Sequence, residues 1–129
     1  MAYIDTVALN ITGRMLSRTV TDMWRGGRHE LPAEELSKAI DSEIQSKIGN
    51  ALDSTVTDLR EAVWTELEAV ARISGMVRIR RRSLLTTPPG KEGAPDGTVR
   101  VIADKKEMHR VLVKISASVA GRRKARRAA

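Results

Sequence analysis

The sequence predicts an α+β fold that is mostly helical, with N-terminal helices packed with a long-looped β-hairpin and a C-terminal helix. Three observations carry this. Apolar residues recur at spacings of three and four from Ala8 to Ile73 and again from Met108 to Val119, the period of amphipathic helices. Val77 and Ile79 alternate with Arg78 and Arg80, and Val99 and Val101 flank Arg100, the period-two pattern of strands with one apolar and one charged face. Pro and Gly gather between these two runs, where the chain must turn.

The first helix is expected over about 5–25, with Asp5 as N-cap. Ala8, Leu9, Ile11, Met15, Leu16, Val20, Met23 and Trp24 mark its apolar side, and Gly26-Gly27 ends it. Gly13 weakens it by about 1 kcal/mol relative to Ala. A second helix, about 32–49, starts at Leu31-Pro32-Ala33-Glu34-Glu35, with Pro at the first helical position and carboxylates facing the positive end of the dipole. Its apolar residues Leu36, Ile40, Ile44, Ile48 and Leu52 are spaced strictly by four. Such a stripe drifts about 40° per step, so the helix either wraps a partner or breaks near Gly49-Asn50. Glu34 with Lys38, and Glu43 with Lys47, read as i,i+4 pairs on a solvated face.

The third helix is expected over about 54–74, capped within Asp53-Ser54-Thr55. Val56, Leu59, Val63, Leu67, Val70 and Ile73 trace a near-heptad seam with Trp64 beside it. The seam serves either the core or self-association, and its shortness favours the core. Gly75 then leads into a hairpin over 76–103, in which the run from Met76 to Arg82 pairs with that from Thr98 to Ala103 around a projecting loop at 86–97. Asp104 caps a last helix over about 105–121, whose apolar residues are Met108, Val111, Leu112, Ile115 and Val119. Gly121 closes the single domain of 1–121, and 122–129 remain as a basic tail.

Composition bounds the function. At 129 residues the chain is one ordinary domain. Its aromatics are Tyr3, Trp24 and Trp64, so aliphatic residues and Ala must fill the interior. The absence of Cys excludes disulfides, thiolate metal sites and a cysteine nucleophile. Met1-Ala2-Tyr3-Ile4-Asp5 carries neither a basic nor an apolar leader pattern, and no apolar run approaches the roughly 18 residues of a membrane span. The expected location is the cytoplasm, or a virion if the chain is a phage component, with no membrane contact. The charge is divided: residues 1–75 hold 8 Lys+Arg against 12 Asp+Glu, and residues 76–129 hold 15 against 4. A basic half of this kind meets phosphate or an acidic protein surface.

The candidate binding residues are therefore Arg78, Arg80, Arg81, Arg82 and Arg100 of the hairpin, with Arg122, Arg123, Lys124, Arg126 and Arg127 of the tail. Guanidinium groups grip phosphate oxygens bidentately, and no aromatic platform accompanies them, so backbone contact is expected rather than base reading. Catalysis finds little material. His29 lies in a Gly-flanked linker, His109 in the first turn of the last helix, and no carboxylate spacing singles out an acid/base pair. The carboxylates of residues 53–68 read as helix starts and exposed faces. No cofactor or metal is expected. These readings together point to a non-enzymatic structural or assembly protein that self-associates through its helices and presents the hairpin and tail to nucleic acid or an acidic subunit. A connector, neck or capsid-associated component of a phage particle fits that description. The alternative is a DNA-binding regulator or nucleoid-type protein that contacts the phosphate backbone.

Overall fold

Helix α1 spans Ala2–Arg25 and is the element around which the others pack. Its three consecutive residues Val7, Ala8 and Leu9 are all buried, which requires neighbours on more than one side. The computed structural model describes residues 2–28, 30–50, 52–74, 78–80, 83–85 and 105–128. Helices α2 (Ala33–Ile48), α3 (Asp53–Ser74) and α4 (Lys105–Ala128) complete the helical part of the described residues. Strands β1 (Glu30–Leu31), β2 (Arg78–Arg80) and β3 (Ser83–Leu85) form a small antiparallel sheet in the order β1-β3-β2.

The helix ends follow local chemistry. Gly27, at φ 68°, closes α1: the Arg28 N–H donates to the Met23 carbonyl at 2.9 Å and the Gly27 N–H to that of Trp24 at 3.2 Å. This is the paired 6→1 and 5→2 pattern that ends a helix on a left-handed glycine. Asp5 does not cap α1; it lies within the first turn, because the helix begins three residues earlier. Pro32 occupies the N-cap of α2 rather than its first turn, in extended geometry at φ −61° and ψ 157°. That geometry leaves Leu31 free to pair in β1. At the far end of α2, Gly49 takes φ 59° and the drifting stripe stops there: Leu36, Ile40 and Ile44 are buried whereas Leu52 is exposed. The break, not the wrapped partner, is what the stripe encodes.

The core draws on all four helices and the sheet. Leu59, Val63, Leu67 and Val70 of α3 lie against Leu9, Ile11, Met15 and Leu16 of α1 in one cluster that also takes in Val111, Ile115 and Val119 of α4. The α3 seam is therefore core within a single chain; Ile73, its last expected member, is exposed. The Thr12 hydroxyl, fully buried on α1, donates to the Val63 carbonyl at 3.5 Å.

Two sequence expectations differ from, or reach beyond, what the described residues show. Among the described residues β2 pairs with β3, next along the chain, with Ile79 opposite Leu84 and Leu84 opposite Leu31. A two-residue connection closes at far smaller entropic cost than a long loop, and Leu84 is fully buried at the centre of the sheet. The segment expected to pair there, 98–103, and the projecting loop at 86–97 lie outside the described residues, as do Arg81, Arg82, Arg100 and His29. The second difference is that α4 does not stop at Gly121 but runs on to Ala128, so most of the expected tail is helix.

The two helical glycines have opposite roles. A Cβ built on Gly13 would lie 3.1 Å from Val119 Cγ2, so the missing side chain lets α1 and α4 approach closely. A Cβ on Gly121 meets nothing within 4 Å. Gly121→Ala is accordingly expected to raise stability by about 0.5–1 kcal/mol through helix propensity alone. Urea unfolding measures it, and a loss of stability would show that residue 121 is not helical in solution.

Candidate functional site

Helix α4 concentrates the basic charge of the described residues, with nine Lys+Arg against one acidic residue between Lys105 and Ala128. It divides by face. Met108, Val111, Ile115 and Val119 point into the core, and that stripe continues past Gly121 onto Arg122 and Arg126, which are half-buried. Lys105, Lys106, Lys114 and Lys124 are exposed on the remaining surface. Near the start of the helix Arg110 pairs with Glu107 at 2.8 Å.

The arginines of the expected tail are tied down by the fold. Glu66 of α3 is only 2% exposed, and its Oε2 accepts from Arg122 Nε at 2.6 Å while its Oε1 accepts from Arg126 Nη2. Arg126 also reaches Asp5 of α1 at 3.2 Å. Arg123 Nη2 donates to Asn10 Oδ1 at 2.5 Å. Pairs from Asp5 to Arg126, Asn10 to Arg123 and Gly13 to Val119 show that α1 and α4 run antiparallel. Three helices thus meet in one charged cluster, and a buried carboxylate is tolerated there because two guanidiniums surround it.

A second buried carboxylate lies between α1 and α2. Glu43 is 6% exposed and receives Arg14 at 3.3 Å and Arg18 at 3.0 Å. The expected solvated pairing of Glu43 with Lys47 gives way to this, because position 43 precedes Ile44 on the buried side of α2. On the surface, Arg28 donates to Glu35 Oε2 at 2.6 Å and to the Glu30 carbonyl at 3.4 Å, bracing β1 against α2. Its hydrogen bond and charge hold the Glu35 carboxyl below the usual range, and solvent keeps this contribution small.

Of the sequence-derived binding residues, Arg122, Arg123 and Arg126 fall together, with Lys124 exposed beside them. Arg127 lies in α4 and Arg78 and Arg80 in β2, their side chains outside the described set, as are Arg81, Arg82 and Arg100 altogether. The seam residues Leu59, Val63, Trp64, Leu67 and Val70 are buried and Val56 is partly so. The sequence reading placed Glu66 on an exposed face, which the structure corrects. The signal was present: Leu59, Val63, Glu66 and Val70 are spaced four, three and four, so Glu66 occupies a seam position. Lys105, Lys106 and Lys114 were also passed over. Among the described residues no cluster of His, Asp or Glu is placed to hold a metal ion, and no helix is long and apolar enough to cross a membrane.

Comparison with known protein families, with curated proteins and with solved structures finds no match to this chain.

Proposed function

We propose that this protein is a non-enzymatic assembly protein that binds the phosphate backbone of nucleic acid through the basic outer face of α4. The observation that supports the reading best is the division of α4. Its apolar stripe and two arginines are committed inward, while Lys105, Lys106, Lys114 and Lys124 remain exposed on a helix with a single acidic residue. A rigid helix of this charge offers ammonium groups at fixed spacing to a polyanion, which favours position along a backbone over recognition of sequence. Because the α3 seam is consumed inside the chain, contacts with further subunits fall to exposed faces.

Binding to a random-sequence DNA duplex, measured across salt, tests the reading. Neutralising about six phosphates makes affinity fall by roughly 1,000-fold between 50 and 200 mM salt. A micromolar interaction with that dependence supports the proposal. Weak binding at the lower salt refutes it and redirects the basic surface to an acidic protein neighbour.

A further inference from the structure

We propose that the half-open notch between α1 and α4, lined by Asn10, Gly13, Arg14, Ser116, Val119 and Arg123, seats a phosphate group. The inference rests on the polyanion reading above only for the source of that phosphate. The notch exists because Gly13 lacks a side chain: Val119 closes against the bare helix and forms an apolar floor. Its volume of about 240 Å³ is ample for a tetrahedral oxyanion beside several waters of about 30 Å³ each.

The polar groups around it are donors. Arg14, whose Nε also meets Glu43 at 3.3 Å, and Arg123 line it from opposite helices, Ser116 adds a hydroxyl, and Asn10 an amide whose Oδ1 is already held by Arg123, leaving its NH₂ to donate. Among the described residues no carboxylate lines the notch. The carboxylates nearby do not neutralise it. Arg14 and Arg18 share the single charge of Glu43, and Arg122 and Arg126 are matched by Glu66 and Asp5, while Arg123 binds a neutral amide. Among the described residues, five arginines against these three carboxylates leave a surplus of two positive charges along the helices that flank the recess. That combination is the chemistry that recognises a phosphate, whether a backbone phosphodiester or a free ion.

Inorganic phosphate titrated into the full chain is expected to shift the NMR signals of the Arg14 and Arg123 Nε–H groups and the Ser116 amide, and a short random-sequence duplex to shift the same signals. Ser116→Asp, an exposed position, places a negative charge in the recess and should abolish the phosphate-induced shifts. Ser54→Asp, exposed in the first turn of α3, makes the same change of net charge away from the notch and should leave them. Against that control, Ser116→Asp should lower the salt slope of duplex binding by about one. Arg123→Gln repeats the test by removing a charge instead of adding one. Shifts with the duplex alone identify a backbone phosphate, and shifts with inorganic phosphate alone a free oxyanion. If neither ligand moves these signals, or both notch variants behave as the control does, the notch is not a phosphate site. Duplex binding that persists in that case leaves the proposed function standing, whereas phosphate binding without duplex binding removes that function and keeps the site.

Discussion

Glu66→Ala is expected to destabilise the protein by about 1.5–3 kcal/mol, the cost of removing the charged hydrogen bonds it makes to two half-buried guanidiniums. Glu66 is almost completely enclosed and holds Arg122 and Arg126 against α3. Without it, two guanidiniums face each other on adjacent turns of α4, and Asp5, itself partly exposed, can balance only the one it touches. The last two turns of α4 should fray, which urea unfolding would record as lost stability and limited proteolysis as early cleavage after Arg122. Replacing all three members together, Glu66→Leu with Arg122→Leu and Arg126→Met, should recover much of the loss, since apolar groups of similar volume often substitute for a buried pair at little cost. A single variant within about 0.5 kcal/mol of the parent would show that the cluster does not form in solution.

Val63→Asp is expected to abolish folding. Val63 is fully buried between α3 and α1, where its own carbonyl accepts from Thr12. A carboxylate there would sit in the apolar cluster, and burying one unpaired costs several kcal/mol, comparable with the 5–15 kcal/mol that holds a typical domain together. Circular dichroism should show lost helix at every protein concentration. A variant that folds as a monomer but fails to associate would place the seam between chains instead.

These two effects also mark where the sequence was legible. Helices α1, α2 and α3 were readable to within a few residues because their apolar spacing and glycine stops are local signals: Gly27 and Gly49 both adopt positive φ where the helices end. The α3 seam was readable as core for the same reason. Glu43 and Glu66 were not, because a charged residue on an apolar stripe looks like an interruption until its partners are known, and Arg14, Arg18, Arg122 and Arg126 come from other elements. The extent of α4 was misjudged through Gly121. Its helical cost of about 1 kcal/mol is outweighed by ion pairs formed one and five residues later, at Arg122 and Arg126. In the sheet, the period-two pattern correctly placed a strand at Arg78–Arg80, and the strand found beside it is centred on Leu84, a run too short to show a period in the sequence; the run at 98–103 lies outside the described residues. Of the candidate binding surface, the arginines were visible as composition. Their division into an inward group and an outward lysine face required the packing of α4.

The central claim is that the outer lysines of α4 bind phosphate while its inner arginines hold the fold. The measurement that tests it most directly is the salt dependence of duplex binding by the variant carrying Lys105→Gln, Lys106→Gln, Lys114→Gln and Lys124→Gln, compared with the parent. An unchanged melting temperature, weaker binding and a salt slope reduced by about three to four are expected. A parent that binds the duplex with the same slope as this variant would contradict the claim.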